Sequence, residues 1–221
     1  MPDRRGENLK TTFRIVDTSE VGRAHAWHSG FAAANDAIFP RTAQAFYNLT
    51  LDRNVWCAIT DDDEIVGMSY AKMSDDETEV EIGGLMVSAK TRGRGIGDLM
   101  MRLPLVHFLV TERPLRWRCP PTIVAHALEG NEKPRRIISR AGFEFHKTVS
   151  IPPEVLPGLR IGDDGMVHGD EYHLKLPDAL LCLATWLDEW SDVLRDGSSA
   201  AIKILEDETL ADWATILRSM A

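Results

Sequence analysis

The residues best placed to do chemistry are Arg92-Gly93-Arg94-Gly95-Ile96-Gly97. They stand between a segment that reads as a strand ending near Val87 and a helical pattern opening at about Ile96. Glycines lack Cβ, so successive main-chain N–H groups can converge on one concavity, and the following helix N-terminus adds about half a positive charge. Such a loop is a seat for phosphate oxygens. Two other phosphate loops fail on spacing. A P-loop needs GxxxxGK[ST], and no Lys-Ser or Lys-Thr follows. A dinucleotide fingerprint needs GxGxxG, and Asp98 stands where its last glycine belongs. Upstream, in TEVEIGGLMV at 78–87, Glu79 and Glu81 share one face by strand alternation. Gly83-Gly84 would weaken that strand unless it bulges there and parts from its neighbour.

The elements around these residues follow from periodicity. Residues 13–16 read as a strand. Residues 18–49 carry Val21, Ala24, Trp27, Phe31, Ala34 and Ile38 at helical spacing, broken by Pro40 into two helices. Strands at 55–59, 64–73 and 78–87, separated by acidic turns at 61–63 and 74–77, predict an antiparallel meander. The glycine loop then leads into a helix, DLMMRLPLVHFLV, in which Pro104 predicts a kink or an early end. A buried strand (TIVAHA), a helix over 131–140 ended by Ala141-Gly142, the strand FEFHKTV, a Pro/Gly/Asp-rich loop at roughly 150–170 and a last strand (EYHLKL) complete the series. From 177 on, Leu180, Leu183, Leu187, Trp190 and Leu194, and then Ile202, Leu205, Thr209, Trp213, Ile216 and Met220, repeat at helical spacing about a break at Asp196-Gly197-Ser198. The expected domain is 1–176, with 177–221 as a C-terminal helical hairpin packed on it.

Arg92-x-x-Gly95-x-Gly97 after LMVSAKT resembles the [Q/R]xxGx[G/A] acyl-CoA pyrophosphate loop of the GNAT superfamily of acyl-CoA N-acyltransferases. The element order from about 12 to 176 is similar too, as is Asn131 followed by a helix and Gly142-Phe143. The resemblance implies an α/β (α+β) fold, a mixed, mostly antiparallel sheet flanked by helices. It also implies acetyl-CoA or another acyl-CoA as co-substrate, with Arg92, Gly93, Arg94, Gly95, Ile96 and Gly97 on the pyrophosphate. The main chain of Leu85, Met86 and Val87 would hold the pantetheine arm and polarise the thioester, and Asn131 would contact that arm or the acceptor.

Acyl transfer to an amine needs a neutral amine, yet an alkylamine with a pKa of about 10.4 is almost wholly protonated at neutral pH. Glu81 resembles the glutamate with which some family members take that proton. A partly dry cleft should raise its pKa and make it a better base. Many members also carry a tyrosine four residues before the glycine of the GF pair, as acid for the departing thiolate. Here that position is Ile138. Tyr172 or water would have to serve, or the thiolate, from a thiol of pKa about 8.5, leaves unaided. Ile138 also motivates an alternative, a catalytically weak acyl-CoA-binding regulatory module.

Charge supports an anionic co-substrate locally only. The chain has 25 Lys and Arg against 34 Asp and Glu, a net charge of −9, which disfavours nucleic acid as a partner. Between 90 and 118, however, Lys90, Arg92, Arg94, Arg102, Arg113, Arg116 and Arg118 face only Asp98 and Glu112. Lys133, Arg135, Arg136 and Arg140 continue the bias and are candidates for the 3′-phosphate, Arg135 first. Asp98 should turn away from the phosphates. Most of the acidic excess lies in the tail. His25 and His28 are three apart, but no third ligand accompanies them and no metal is expected. Cys57, Cys119 and Cys182 form neither a disulfide framework nor a zinc knuckle, and no run suits a signal peptide or a membrane span, so a cytoplasmic protein is expected. The predicted function is acetyl transfer from acyl-CoA to a primary amine, on a small molecule or a peptide, by direct attack in a ternary complex, with a homodimer as one possible state.

Overall fold

The computed structural model describes residues 10–113, 118–175, 178–204 and 208–221. Arg116, Leu205 and the expected junction at 176–177 lie outside them. One eight-stranded sheet organises the described residues, built from β1 (Thr11–Ile15), β2 (Val55–Thr60), β3 (Ile65–Met73), β4 (Glu79–Val87), β5 (Thr122–Leu128), β6 (Phe143–Ile151), β7 (Val167–Leu174) and β8 (Ala200–Lys203). Its order is β6-β7-β5-β4-β3-β2-β1-β8. The predicted meander is β2 to β4, antiparallel throughout, whereas β4 pairs with β5, and β1 with β8, in parallel.

Helices α1 (Val21–Ala33) and α2 (Ala43–Leu51) cover one face. Ala24, Phe46, Leu49, Cys57, Met68, Tyr70 and Met86 are packed together there. The other face carries α3 (Ile96–Glu112), α4 (Glu132–Arg140), α5 (Asp178–Asp188) and α6 (Leu210–Met220) over Phe13, Trp56, Val80, Ile82, Ile123 and Ala125. Helix α3 lies between the sheet and α6, so it is apolar almost all round, from Ile96 to Val110.

Pro104 does not end α3, which runs from Ile96 to Glu112, so the early end that the sequence allowed is not found. Proline cannot donate to the carbonyl four residues back, and that carbonyl, on Met100, instead accepts the hydroxyl of Ser69 on β3. The tail also differs. Residues 200–203 form β8 rather than the start of a helix, because the outer edge of β1 offers main-chain groups that these residues satisfy in parallel pairing. Thr11 N donates to Ser199 O at 3.0 Å where the two strands meet. Helix α6 begins only at Leu210, behind a capping box between Thr209 and Asp212.

Candidate active site

Strand β4 creates the site by failing to stay beside β5. The two pair from Glu79 with Thr122 to Glu81 with Val124, and no further. Just beyond, the β3 register jumps from Met68 opposite Met86 to Tyr70 opposite Gly83, so β4 bulges at the double glycine as predicted. Gly84 has φ +60°, and a Cβ on it would run into the Tyr70 ring. Only glycine fits. A cleft of about 710 Å³ opens where the strands diverge, passing through the sheet from the α3–α4 face to the α1–α2 face. That volume lies within the usual range for small-molecule sites.

At the α3–α4 end the cleft is lined by Leu85, Val87, Arg92, Gly93, Gly95, Ile96, Gly97 and Asn131. Gly95 is the N-cap of α3 and lies in the left-handed region, φ +91°, so the loop joins the cleft at a helix N-terminus, where main-chain N–H groups lack partners within the helix. Ser88 N donates to Val66 O across β3–β4, so alternation ties the main chain of Met86 to β3 and turns that of Leu85 and Val87 to the open edge. Met86 itself is buried in the α1–α2 core. Of the three pantetheine candidates, Leu85 and Val87 face the gap.

The cations divide similarly. Lys133, Arg136, Arg140 and Arg92 line the cleft. Arg135 points elsewhere, its guanidinium 2.7 Å from Asp170. Arg94 turns to the tail, with Asp196 at 2.8 Å. Asp98, expected to face away from an anion, lines the cleft but is enclosed between Arg140 and Arg195, each at 2.8 Å. Arg195 comes from the tail and lays its methylenes across Gly95. Sequence reading missed it, because nothing in residues 190–198 signals contact with a loop a hundred residues earlier.

On the α1–α2 face stand Glu81, His126 and Glu171, neighbours across β4, β5 and β7. His126 Nδ1 is 3.6 Å from Glu81 Oε1, and its Nε2 is 3.7 Å from Glu171 Oε2. Burial alone would push the Glu81 carboxyl up, but His126, Arg41 and Lys72 together hold it below the usual carboxylate range. The raised pKa expected from a dry cleft is therefore corrected: the cations around Glu81 outweigh its desolvation. Burial likewise opposes the His126 cation, yet the two carboxylates outweigh it and raise its pKa. His126 read from the sequence as a structural residue of a buried strand. Its alternation with Val124 was the available signal, since both fall on the face of Glu81.

Tyr172 is not in the cleft. It pairs with Ala125 on the opposite face of the sheet from Glu81, packed edge-on against Phe145 at 6.0 Å. Ile138 does line the cleft, so an alkyl group occupies the acid position. The phenol present there is Tyr70, whose oxygen accepts from Arg41 and whose pKa burial raises further. It can donate a hydrogen bond but is a poor proton source. The cleft lining also includes the apolar side chains of Phe31, Ile38, Phe39, Val149, Leu156 and Leu159. The loop carrying Leu156 and Leu159 is fixed by Arg160 N donating to Asp36 O at 2.9 Å and by an Arg160–Asp36 ion pair. His25 is engaged by the Arg41 carbonyl at 3.0 Å, and His28 is fully buried, with burial pulling its pKa down to about 4.

Residues 23–142, which include the glycine loop and both strands of the fork, match the model of the acetyltransferase (GNAT) family. The chain belongs to the GNAT acetyltransferase family. Acetyl transfer from acyl-CoA is accordingly the reaction class of this GNAT chain, and its glycine-lined, cation-rimmed cleft suits such a co-substrate. Similar solved structures show the fold. The N-acetyltransferase of Staphylococcus aureus Mu50 is 16% identical, with TM-score 0.54 over 76% of this chain and 99% of that one. YncA of Salmonella typhimurium, solved with its cofactor acetyl-CoA, is 17% identical, with TM-score 0.54 over 76% and 94%. The ribosomal-protein-S18-alanine N-acetyltransferase of Escherichia coli is 14% identical, with TM-score 0.52 over 74% and 92%. No curated protein matches the sequence. Among the described residues, no helix is long and apolar enough to cross a membrane.

Proposed function

We propose that this GNAT chain acetylates a primary amine with an apolar body, by direct attack within a ternary complex. The observation that carries this reading is the Glu81–His126 pair at the point where β4 leaves β5. There the anion-binding and apolar ends of one cleft meet. Acetyl-CoA supplies the activated thioester. The loop at 92–97 would take its pyrophosphate on main-chain N–H groups, while Lys133, Arg136 and Arg195 balance the remaining charge. Leu85 and Val87 offer main-chain groups to the pantetheine arm and the carbonyl oxygen, an electrostatic role independent of side-chain identity.

Glu81 then holds the incoming ammonium. Its depressed pKa keeps it ionised. The ammonium loses one proton through water to bulk solvent before the amine attacks the thioester carbon. The second proton leaves the nitrogen of the tetrahedral intermediate for His126 in its neutral form, which returns it to solvent. With Ile138 at the acid position and Tyr172 across the sheet, the thiolate departs without a side-chain acid, as a thiol pKa of about 8.5 permits.

Incubation with acetyl-CoA and a panel of primary amines, following thiol release, tests the reading. Alkyl- and arylalkylamines should react faster than polyamines or amino acids. Ile138 favours one second reading, a binding module without turnover. Stabilisation by CoA with no thiol released from any amine would establish that reading instead.

A further inference from the structure

The face that carries Glu81 and His126 continues across β7 to β6, where another group of ligand atoms gathers. Glu171 and His173 are two apart on β7 and share that face. His146 is the extra residue of a bulge in β6, since Phe145 stands opposite Tyr172 and Lys147 opposite Glu171. A bulge re-aims a side chain, and here it stacks the His146 ring on that of His173, centroids 3.9 Å apart. His173 Nε2 lies 2.7 Å from Glu171 Oε1. One ligand atom from each of His146, Glu171 and His173 lies within 4.8 Å of the other two.

We infer that His146, Glu171 and His173 form a binding site for a divalent transition-metal ion of the zinc class. Two imidazoles and one carboxylate suit such an ion, whereas calcium and magnesium demand oxygen cages. Three protein ligands leave one position open to solvent. A tetrahedral ion with bonds of about 2.0–2.1 Å holds its ligands roughly 3.4 Å apart. Closing the set takes side-chain adjustment: the exposed His146 rotates inward, and His173 Nε2 and Glu171 Oε1, now 2.7 Å apart, open to admit the ion between them. Glu171 is already oriented, because Lys147 Nζ at 3.3 Å and His126 Nε2 at 3.7 Å both engage Oε2 and leave Oε1 toward His173. Lys147 is also a competitor. Its ammonium opposes a second cation on the same carboxylate, but its side chain is 56% exposed and free to swing into solvent.

Untagged full-length protein titrated with Zn2+ in a calorimeter should take up one ion per chain. His146→Ala and His173→Ala should each weaken uptake by at least about tenfold while melting as cooperatively as the parent. Lys147→Ala should tighten binding several-fold, an effect that a purely structural cluster would not produce. Co2+ should give visible d–d absorption that His146→Ala removes. A Cys119→Ser/Cys182→Ser variant, lacking the two exposed thiols, should bind Zn2+ unchanged. The inference is overturned by any of three results: no uptake by the parent chain, uptake by both histidine variants as tight as the parent's, or uptake that disappears with the cysteines.

Discussion

The two ends of the cleft are built from different materials. At the α3–α4 end the working groups are mostly main chain, presented by one contiguous loop and one strand, with glycines at 84, 93 and 95 in the left-handed region. At the α1–α2 end they are side chains drawn from the α1–α2 connection, β3, β4, β5 and the 152–166 loop. The first design is specified locally and tolerates side-chain change. The second is specified only by assembly, so it can vary freely between proteins that share the first.

Substitution at the fork should break this contrast most severely. Gly84→Val forces a branched side chain into the Tyr70 ring at φ +60°, and should cost at least about 3 kcal/mol and abolish activity at both ends. Thermal denaturation beside CoA calorimetry measures it, and a variant that folds and binds normally would remove the bulge from its role. Glu81→Gln separates the ends. Turnover should fall about a hundredfold while CoA affinity stays within twofold, because of the two substrates the proposed role of this carboxylate involves only the amine. Equal loss of both would place Glu81 in the structure instead of the chemistry.

The walls behind the two ends should, by contrast, behave alike. His107 on α3 lies against Trp56 and Trp213, with Glu208 and Arg53 the nearest charges, and burial draws its pKa to about 4. His28 on α1, near Phe46, Arg41 and His25, is drawn equally low. Both are neutral in the native state, whereas an unfolded histidine titrates at about 6.5. The unfolded chain therefore gains protons first as pH falls. Stability is full above pH 6.5 and declines down to about pH 4, by on the order of 3 kcal/mol per histidine. Denaturant midpoints at several pH values test this, and His107→Gln should flatten the decline by about half. A midpoint independent of pH in that window would contradict it.

The smallest expected effect concerns the side chain that crosses the divide. Arg195→Ala should weaken CoA roughly fivefold without changing the KM of the amine, since Arg195 touches only the loop end. A shift in the amine KM alone would mean that the tail serves the acceptor.

The same division explains what could be read from the chain. The meander, the glycine loop, the bulge at Gly83-Gly84 and the helix ending at Ala141-Gly142 all follow from spacings within a dozen residues, where backbone geometry alone decides. The early end that Pro104 suggested is not found, and the hydroxyl that engages the Met100 carbonyl comes from Ser69, on another element. Tyr172 was misplaced because alternation along β7 fixes its face only relative to its neighbours. Which face is the cleft depends on how β7 pairs with β5.

The sequence by itself determined a glycine turn at the head of a helix, a weak point in the strand before it, and carboxylates alternating toward one face. These are properties of φ, ψ and of periods two and 3.6, and the chain carries them wherever it folds. The tertiary structure alone decided that His126 faces Glu81, that Arg195 and Asp98 meet over the loop, and that β8 closes the sheet edge. Each of these joins residues far apart in the chain, and only the order of strands and the burial of charge select them among many pairings that the residue types would equally allow.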